Sequence, residues 1–270
     1  MVTKRQIRSA KQLKNIRKQR SKYTLLLMKI INDSDIILEV IDARFAKEMQ
    51  NKEIEKLVRS KGKKIIYVLN KSDLTRKRDL RLNPRIFVSC RNGKGITELR
   101  DKIKIEAAKI DKKGKYNRVQ VGVIGYPNTG KSSLINLLIG KVSAKTGSDA
   151  GFTKGIQKLR LTEDIFLLDS PGVIPMDKYS MTSEKKIAQH VMVGARSHSQ
   201  VKDPEIVLNE IVKIYKKELE KFYGIKFKDA EDLIEKIGRK KSFLKKGGEV
   251  NSDRSARFVL KDWQLGRIEI

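Results

Sequence analysis

The sequence has a single cysteine and no long hydrophobic run. Because Cys90 has no possible partner in the chain, an intrachain disulfide and a zinc site built on several cysteines are excluded. A reducing compartment suits this composition, so we expect a cytoplasmic protein. No run of 18 or more apolar residues is present, and we therefore expect no membrane-spanning segment and no membrane partner. The apolar run 23–31 is interrupted by Lys29 and lacks a small-residue cleavage site, so no signal peptide is predicted.

Acidic residues are scarce relative to basic ones. The 270 residues include 61 Lys and Arg against 32 Asp and Glu, which gives a net charge of +29. Such an excess predicts a polyanionic partner, with nucleic acid ahead of an anionic membrane surface. The first 22 residues contain nine Lys or Arg and no acid, and apolar residues recur there at roughly helical spacing. This pattern predicts a basic N-terminal helix over residues 1–33.

Six short segments predict β-strands, and helical patterns alternate with them. The predicted strands are Asp35–Ile41, Lys64–Leu69, Arg85–Val88, Arg118–Ile124, Gly155–Leu161 and Asp164–Leu168. The predicted helices between them are Lys52–Arg59, Ile96–Ile110 and Lys131–Leu138. Several strands are continuous apolar runs, as is typical of strands buried on both faces. The alternation predicts an α/β domain over residues 34–180, with a mostly parallel six-stranded sheet.

Three amphipathic helices are predicted in the C-terminal third of the chain. The first begins at Asp203, an N-cap followed by Pro at the first helical position. The second begins at Asp229 and ends at Gly238, and the third spans Ser252 to Gly266. We expect these helices to form a small all-α domain over residues 181–270.

A phosphate-binding motif lies in the middle of the chain. Gly125–Ser132 has the form G-x-x-x-x-G-K-S, and it lies between a predicted strand and a predicted helix. Lys131 is expected to reach the β- and γ-phosphates, and the Ser132 hydroxyl to bind Mg²⁺. The helix N-terminus adds a positive dipole at the same place. The expected phosphate contacts are Asn128, Thr129, Gly130, Lys131, Ser132 and Ser133.

A guanine-binding motif precedes the phosphate-binding motif. Asn70–Asp73 has the form N-K-x-D, in which Asp73 would accept hydrogen bonds from guanine N1–H and N2–H₂. Asn70 would tie this loop to the phosphate loop, and the Lys71 stem would cover the base. After the next strand, Ser89, Cys90 and Arg91 would present a backbone N–H to guanine O6. A buried structural role for Cys90 is equally compatible with the sequence.

A third motif, Asp169–Gly172, has the form D-x-x-G. Asp169 would hold Mg²⁺ through water, and the Gly172 N–H would meet the γ-phosphate. Thr153, in the glycine-rich stretch before it, is the candidate to complete the Mg²⁺ shell, with Thr146 as its competitor. In ordinary GTPases N-K-x-D follows the other two motifs. The rotated order predicts a circularly permuted GTPase.

The motif order and the D-A-R segment Asp42–Arg44 resemble the circularly permuted ribosome-assembly GTPases of the RbgA/YlqF-like group. The resemblance implies slow hydrolysis of GTP to GDP and phosphate, with GTP or GDP and Mg²⁺ as ligands. It also implies a monomer that binds rRNA, the large ribosomal subunit or its precursor, with residues 181–270 contacting RNA. In related GTPases an Asn at the position of Asn128 helps bind K⁺, so a K⁺ site is expected here. A loop-capping Asn is the alternative.

The chain departs from that group at two places. Its D-A-R segment is followed by Phe45-Ala46, where the group usually has an apolar residue and Pro. It also lacks the early histidine that several members use in hydrolysis, since its first histidine is His190. The residues after D-x-x-G are apolar, whereas small GTPases place a water-orienting Gln there. The residue that orients the attacking water is therefore not identified, and only Lys131 and Gly172 are expected to contact the transition state.

Two other functions compete with a GTP-controlled assembly factor. The first is an RNA-binding scaffold with a structural GTP or GDP site that does not switch. The second is an ATP-driven enzyme, which Asn70 and Asp73 oppose but the phosphate loop does not.

Overall fold

A computed structural model describes residues 24–75, 82–110, 118–140, 156–169, 190–194 and 197–270. Within these ranges six strands form one sheet in the order β3-β2-β1-β4-β6-β5. All neighbouring strands are parallel except β5, which is antiparallel to β6. The strands are β1 (Ile36–Asp42), β2 (Lys64–Asn70), β3 (Arg85–Phe87), β4 (Val119–Gly125), β5 (Gln157–Arg160) and β6 (Ile165–Asp169). The predicted α/β fold with a mostly parallel six-stranded sheet is confirmed.

Helices surround this sheet and form the C-terminal part of the chain. Eight helical segments are labelled here: α1 (24–33), α2 (Ala46–Met49), α3 (Lys52–Ser60), α4 (Ile96–Ala108), α5 (Lys131–Ile139), α6 (Pro204–Tyr223), α7 (Ala230–Lys240) and α8 (Ser252–Gln264). Of the expected basic N-terminal helix, residues 1–23 lie outside the described residues. Each helix in the described ranges is too short or too polar to serve as a transmembrane segment.

The segment after the D-A-R motif folds without the usual proline. Residues Ala43–Phe45 form a 3-10 turn, which leads directly into the short helix α2. The Phe45 ring is buried at 2% exposure, and Ala46 and Met49 are buried beside it. Burial of these apolar side chains therefore holds the segment at the end of β1.

Two of the predicted helix signals have a different structural role. Asp203 precedes α6, but its side chain makes no capping hydrogen bond, whereas the Asp229 carboxylate accepts one from the Asp232 N–H, as an N-cap does. Gly238 was expected to end α7, but it lies inside that helix. A Cβ at Gly238 would collide with the Val250 side chain and lie 2.8 Å from Ser255 Oγ. This glycine therefore permits close packing of the last two helices.

Apolar side chains cover both faces of the sheet. On one face, β1 residues such as Ile36 and Leu38 join a core with α4 and α5. On the other face, Ile37 and Ile41 belong to a core that continues through α1 into α6, α7 and α8. The fully buried Trp263 of α8 lies in this second core. The C-terminal helices therefore share their apolar core with one face of the sheet.

The register of the strands brings the motif residues to one edge. Asp42 at the end of β1 pairs with Asn70 at the end of β2, and Val40 pairs with Gly125 of β4. On the next strand, Asp169 of β6 is level with Val123. Because the carboxyl ends of parallel strands form the ligand-binding edge of an open α/β sheet, these residues mark the candidate site.

Candidate nucleotide-binding site

The loop between β4 and α5 requires its two glycines. Gly125 and Gly130 have φ angles of 146° and 91°, in the region that favours glycine. A Cβ at Gly125 would collide with the Val40 carbonyl, and one at Gly130 with the Asn70 side chain. Inside the loop, Thr129 Oγ1 donates to the Tyr126 carbonyl at 3.0 Å. The loop thus packs closely against β1 and the end of β2, and α5 begins directly after it.

Lys131 lies at the start of α5 and is buried at 7% exposure. Its Nζ donates to the carbonyls of Tyr126 at 2.7 Å and Gly125 at 3.2 Å. Burial lowers the pKa of Lys131 to about 8, although the nearby Asp169 opposes this shift. The ammonium group is therefore held within the loop and is less stable in its charged form than an ordinary lysine.

This pKa predicts that nucleotide binding takes up a proton above pH 8. Phosphates stabilise the ammonium form, so the pKa of Lys131 should rise when nucleotide binds. The number of protons taken up per nucleotide bound should therefore grow from near zero at pH 7 toward one above pH 8. Affinity for GDP should then fall by roughly tenfold per pH unit above 8. Calorimetry in buffers of different ionisation enthalpy measures this uptake. Lys131→Arg, which stays charged, should lose it, and equal uptake in both proteins would contradict the assignment.

Two oxygen groups meet where Mg²⁺ was expected. Ser132 Oγ donates to Asp169 Oδ2 at 3.2 Å, and Asp169 is fully buried at the end of β6. A hydroxyl and a carboxylate suit Mg²⁺, which commonly combines one or two protein oxygens with substrate phosphates. No group of three His, Cys, Asp or Glu side chains that could hold a metal ion occurs in the described part of the chain. Thr146, Thr153 and Gly172 lie outside the described residues.

Asn70 connects the two halves of the site. Its Nδ2 donates to the Thr129 carbonyl at 2.7 Å, and its Oδ1 accepts from the Cys90 N–H at 3.2 Å. One buried amide therefore holds both the phosphate loop and the turn that follows β3. These contacts use both the nitrogen and the oxygen of the Asn70 amide. The side chain therefore sets the distance between the phosphate loop, which is the phosphate end of the site, and the turn after β3, which is its base end.

The base end is built from the loop after β2 and the turn after β3. Asp73 Oδ1 accepts from Ser89 Oγ at 2.6 Å, which orients the carboxylate. Burial raises the pKa of Cys90 to about 12, so its thiol stays neutral at physiological pH. Arg91 is exposed beside them. The arrangement offers an oriented carboxylate and a small, uncharged neighbour, which suits the edge of a purine base.

Lys71 makes contacts that its motif did not predict. It has a left-handed backbone with φ of 59°, and its Nζ lies 2.9 Å from Asp42 Oδ2. The same carboxylate pairs with Arg44 at 2.9 Å. In the sequence the D-A-R segment is only a family feature, and no local pattern predicts its contact with N-K-x-D. The contact depends on the register of β1 and β2, which places Asp42 beside Asn70 and which the sequence does not show.

Asn128 and His198 contact the C-terminal part of the chain. Asn128 Nδ2 donates to the Gly194 carbonyl at 3.3 Å. His198 Nδ1 lies 3.3 Å from Gln264 Oε1, and the His198 backbone N–H donates to the same oxygen at 3.0 Å. His190 is buried. The described contacts of His198 are thus those of a structural residue that packs against the end of α8.

Comparison with known proteins shows which proteins this chain is similar to. The model for the 50S ribosome-binding GTPase family matches residues 120–232. The GNP-bound crystal structure of YlqF from T. maritima aligns with a TM-score of 0.62 and 23% identity, over 92% of this chain and 97% of that one. It thereby shows the fold, and here the guanine motif on β2 precedes the phosphate loop after β4. The chain therefore has the fold of the circularly permuted GTPases. The predicted fold is confirmed.

Curated proteins that are similar to this chain are longer. An uncharacterized GTP-binding protein of Methanocaldococcus jannaschii is 40% identical over 254 residues, covering 90% of this chain and 65% of the relative. GTPase grn1 of Schizosaccharomyces pombe is 30% identical, covering 93% and 61%. Nucleolar GTP-binding protein 2 of Saccharomyces cerevisiae is 34% identical, covering 90% and 51%. The chain thus spans about half to two thirds of these relatives.

Proposed function

We propose that this protein binds and hydrolyses GTP with Mg²⁺ and acts on the large ribosomal subunit or its precursor. The observation that carries the proposal is the Asn70 amide, which joins the phosphate loop at Thr129 to the turn at Cys90. It joins the two nucleotide-binding motifs across 59 residues of sequence into one site. Similarity to proteins whose names include GTPase supports the reaction, and the 50S ribosome-binding family supports the particle.

In the proposed site, GTP lies along the carboxyl edge of the sheet. Asp73, with Ser89, Cys90 and Arg91 beside it, would bind guanine. Lys131 and the N-terminus of α5 would bind the phosphates, with Thr129, Gly130, Ser133 and Gly172 contributing backbone or hydroxyl groups. Ser132 and Asp169 would hold Mg²⁺, and Thr153 would complete its shell. Asn128 would supply an oxygen to K⁺, whose charge would stabilise the transition state.

Hydrolysis rates test the reaction and the cation together. Intrinsic GTP turnover should be slow, should rise when K⁺ replaces Na⁺ at constant ionic strength, and should rise again with large-subunit particles. Asn128→Ala should remove the K⁺ effect and leave GDP affinity largely intact. A structural GTP site would give no turnover under any of these conditions. Equal rates in the two salts would rule out the K⁺ role alone.

The proposed RNA contact lies on the basic turn formed by the end of α7 and the residues between α7 and α8. Lys240, Lys241, Lys245 and Lys246 are exposed. The turn has a defined conformation, because the Phe243 N–H donates to the Gly238 carbonyl at 2.8 Å and the Asn251 N–H to the Phe243 carbonyl at 2.7 Å. Arg254 lies 4.4 Å from the centre of the Phe243 ring. Fixed basic and aromatic groups of this kind suit a nucleic-acid surface.

Replacing these four lysines by Gln should weaken binding to large-subunit particles and reduce its salt dependence. Each lost phosphate contact should reduce the slope of log K against log salt by roughly 0.7–0.9. Filter binding across a salt series measures both quantities. A matched control replaces four other exposed lysines, Lys52, Lys56, Lys61 and Lys104. If both variants lose affinity equally, only net charge matters and this turn is not the contact surface.

A further inference from the structure

A buried charge cluster lies behind the guanine-binding loop. The Asp42 carboxylate pairs with Lys71 Nζ and Arg44 Nη2, each at 2.9 Å from Oδ2. Its other oxygen accepts from Arg44 Nε at 3.1 Å. The Asp42 and Arg44 side chains are only 3% and 1% exposed. Burial opposes ionisation of Asp42, but the two cations hold its pKa well below the usual range.

This cluster contains two cations and one anion, so its excess positive charge needs further compensation. The end of α8 supplies it. Arg44 Nη1 donates to the Trp263 carbonyl at 3.2 Å, and Lys71 Nζ donates to the Gln264 carbonyl at 3.5 Å. Carbonyls at a helix C-terminus carry the negative end of the helix dipole, which favours nearby cations. The C-terminal helix is therefore electrostatically part of the cluster.

The turn after α8 also packs directly against the guanine-binding loop. Gly266 has φ of 70°, and a Cβ there would lie 2.6 Å from Leu74 Cδ1 and 3.5 Å from Lys71 Cδ. The Ile270 N–H donates to the Leu74 carbonyl at 2.8 Å. Leu74 immediately follows Asp73, the proposed guanine ligand. The last residues of the chain thus form the back wall of the loop that would hold the base.

We propose that Asp42 and Arg44 are positioning residues for guanine, acting through Lys71, and that the turn after α8 completes this arrangement. The inference rests on the proposed placement of guanine beside Asp73. It assigns the D-A-R segment a function in nucleotide affinity. It also makes guanine binding and the packing of the turn after α8 mutually dependent, because the bound base and the turn both stabilise the same buried cluster.

The test is a double-mutant cycle on GDP affinity in the full-length protein. Arg44→Gln and Lys71→Ala should each weaken GDP binding by roughly tenfold, and the double variant should lose little more than either single one. Binding of inorganic tripolyphosphate, measured by competition, should stay unchanged because it uses the phosphate end alone. The matched control is Lys261→Gln on α8, which removes the same charge from an exposed side chain outside the turn. It should bind GDP normally.

A second variant covers the case in which Arg44→Gln does not fold. Gly266→Ala leaves all the charged groups in place but pushes the turn away from Leu74, so GDP binding should weaken several-fold. The proposal would be overturned if the losses of GDP affinity multiply in the double variant, or if Arg44→Gln or Gly266→Ala binds GDP normally. It would also be overturned if tripolyphosphate binding weakens as much as GDP binding. If Asp73→Asn also leaves GDP affinity unchanged, the placement of guanine itself has failed.

Discussion

Asp73→Asn should weaken GTP binding by about 2–3 kcal/mol and improve binding of xanthosine triphosphate. The loss follows because a carboxylate that accepts from guanine N1–H and N2–H₂ is replaced by an amide. In the structure, Ser89 Oγ already donates to Asp73 Oδ1 at 2.6 Å. The new amide should therefore keep its oxygen toward Ser89 and present its NH₂ to the base, where the C2 carbonyl of xanthine can accept. Competition binding with both nucleotides measures the change.

The control for this substitution is Asp101→Asn on α4. It removes the same charge from a side chain that is 59% exposed, and it should leave both affinities unchanged. Unchanged GTP affinity in Asp73→Asn would rule out Asp73 as the guanine ligand. An equal gain of xanthosine triphosphate binding in both variants would mean that net charge, and not base recognition, controls the preference.

Trp263→Ala should lower the free energy of unfolding by about 3–5 kcal/mol. Trp263 is fully buried, and its ring centre lies 4.9 Å from that of Tyr215 and 5.9 Å from that of Phe45. Its Nε1 donates to the Met192 carbonyl at 2.8 Å. The substitution therefore leaves a large cavity in a core shared by α8, α6 and the segment after β1. Urea unfolding followed by circular dichroism measures the loss.

Two further variants separate the causes of this loss. Trp263→Phe keeps an aromatic ring but removes the N–H, and its smaller ring leaves part of the cavity, so its loss should be smaller than that of Trp263→Ala. Phe222→Ala changes an aromatic residue that is 40% exposed and should cost much less. If Trp263→Ala lowers only a separate, early transition, the C-terminal helices unfold independently of the sheet. A single shifted transition is expected from the shared core.

The sequence predicted the sheet and the main binding loops because their signals are local. β4 is a mostly apolar run that ends at Gly125, and α5 starts at Lys131, so the phosphate loop between them is defined by adjacent residues. Backbone geometry at Gly125 and Gly130 excludes most other residues, which makes this motif recognisable without a structure. The order of the motifs along the chain then predicted the permutation. None of these inferences needed to know which strands are neighbours.

Contacts between distant segments required the tertiary structure. A glycine at position 238 locally indicates the end of a helix. Its actual role, close packing against Val250, depends on how α7 and the segment that leads into α8 approach each other, which no local pattern shows. The Lys71 stem is expected to cover the base, and only the folded chain shows that its Nζ also lies 2.9 Å from Asp42 on the adjacent strand. The Arg44 contact with Trp263 joins residues 219 positions apart. A local pattern identifies which groups are charged or apolar, but only the folded chain decides which of them share one buried, low-dielectric space and must therefore compensate one another.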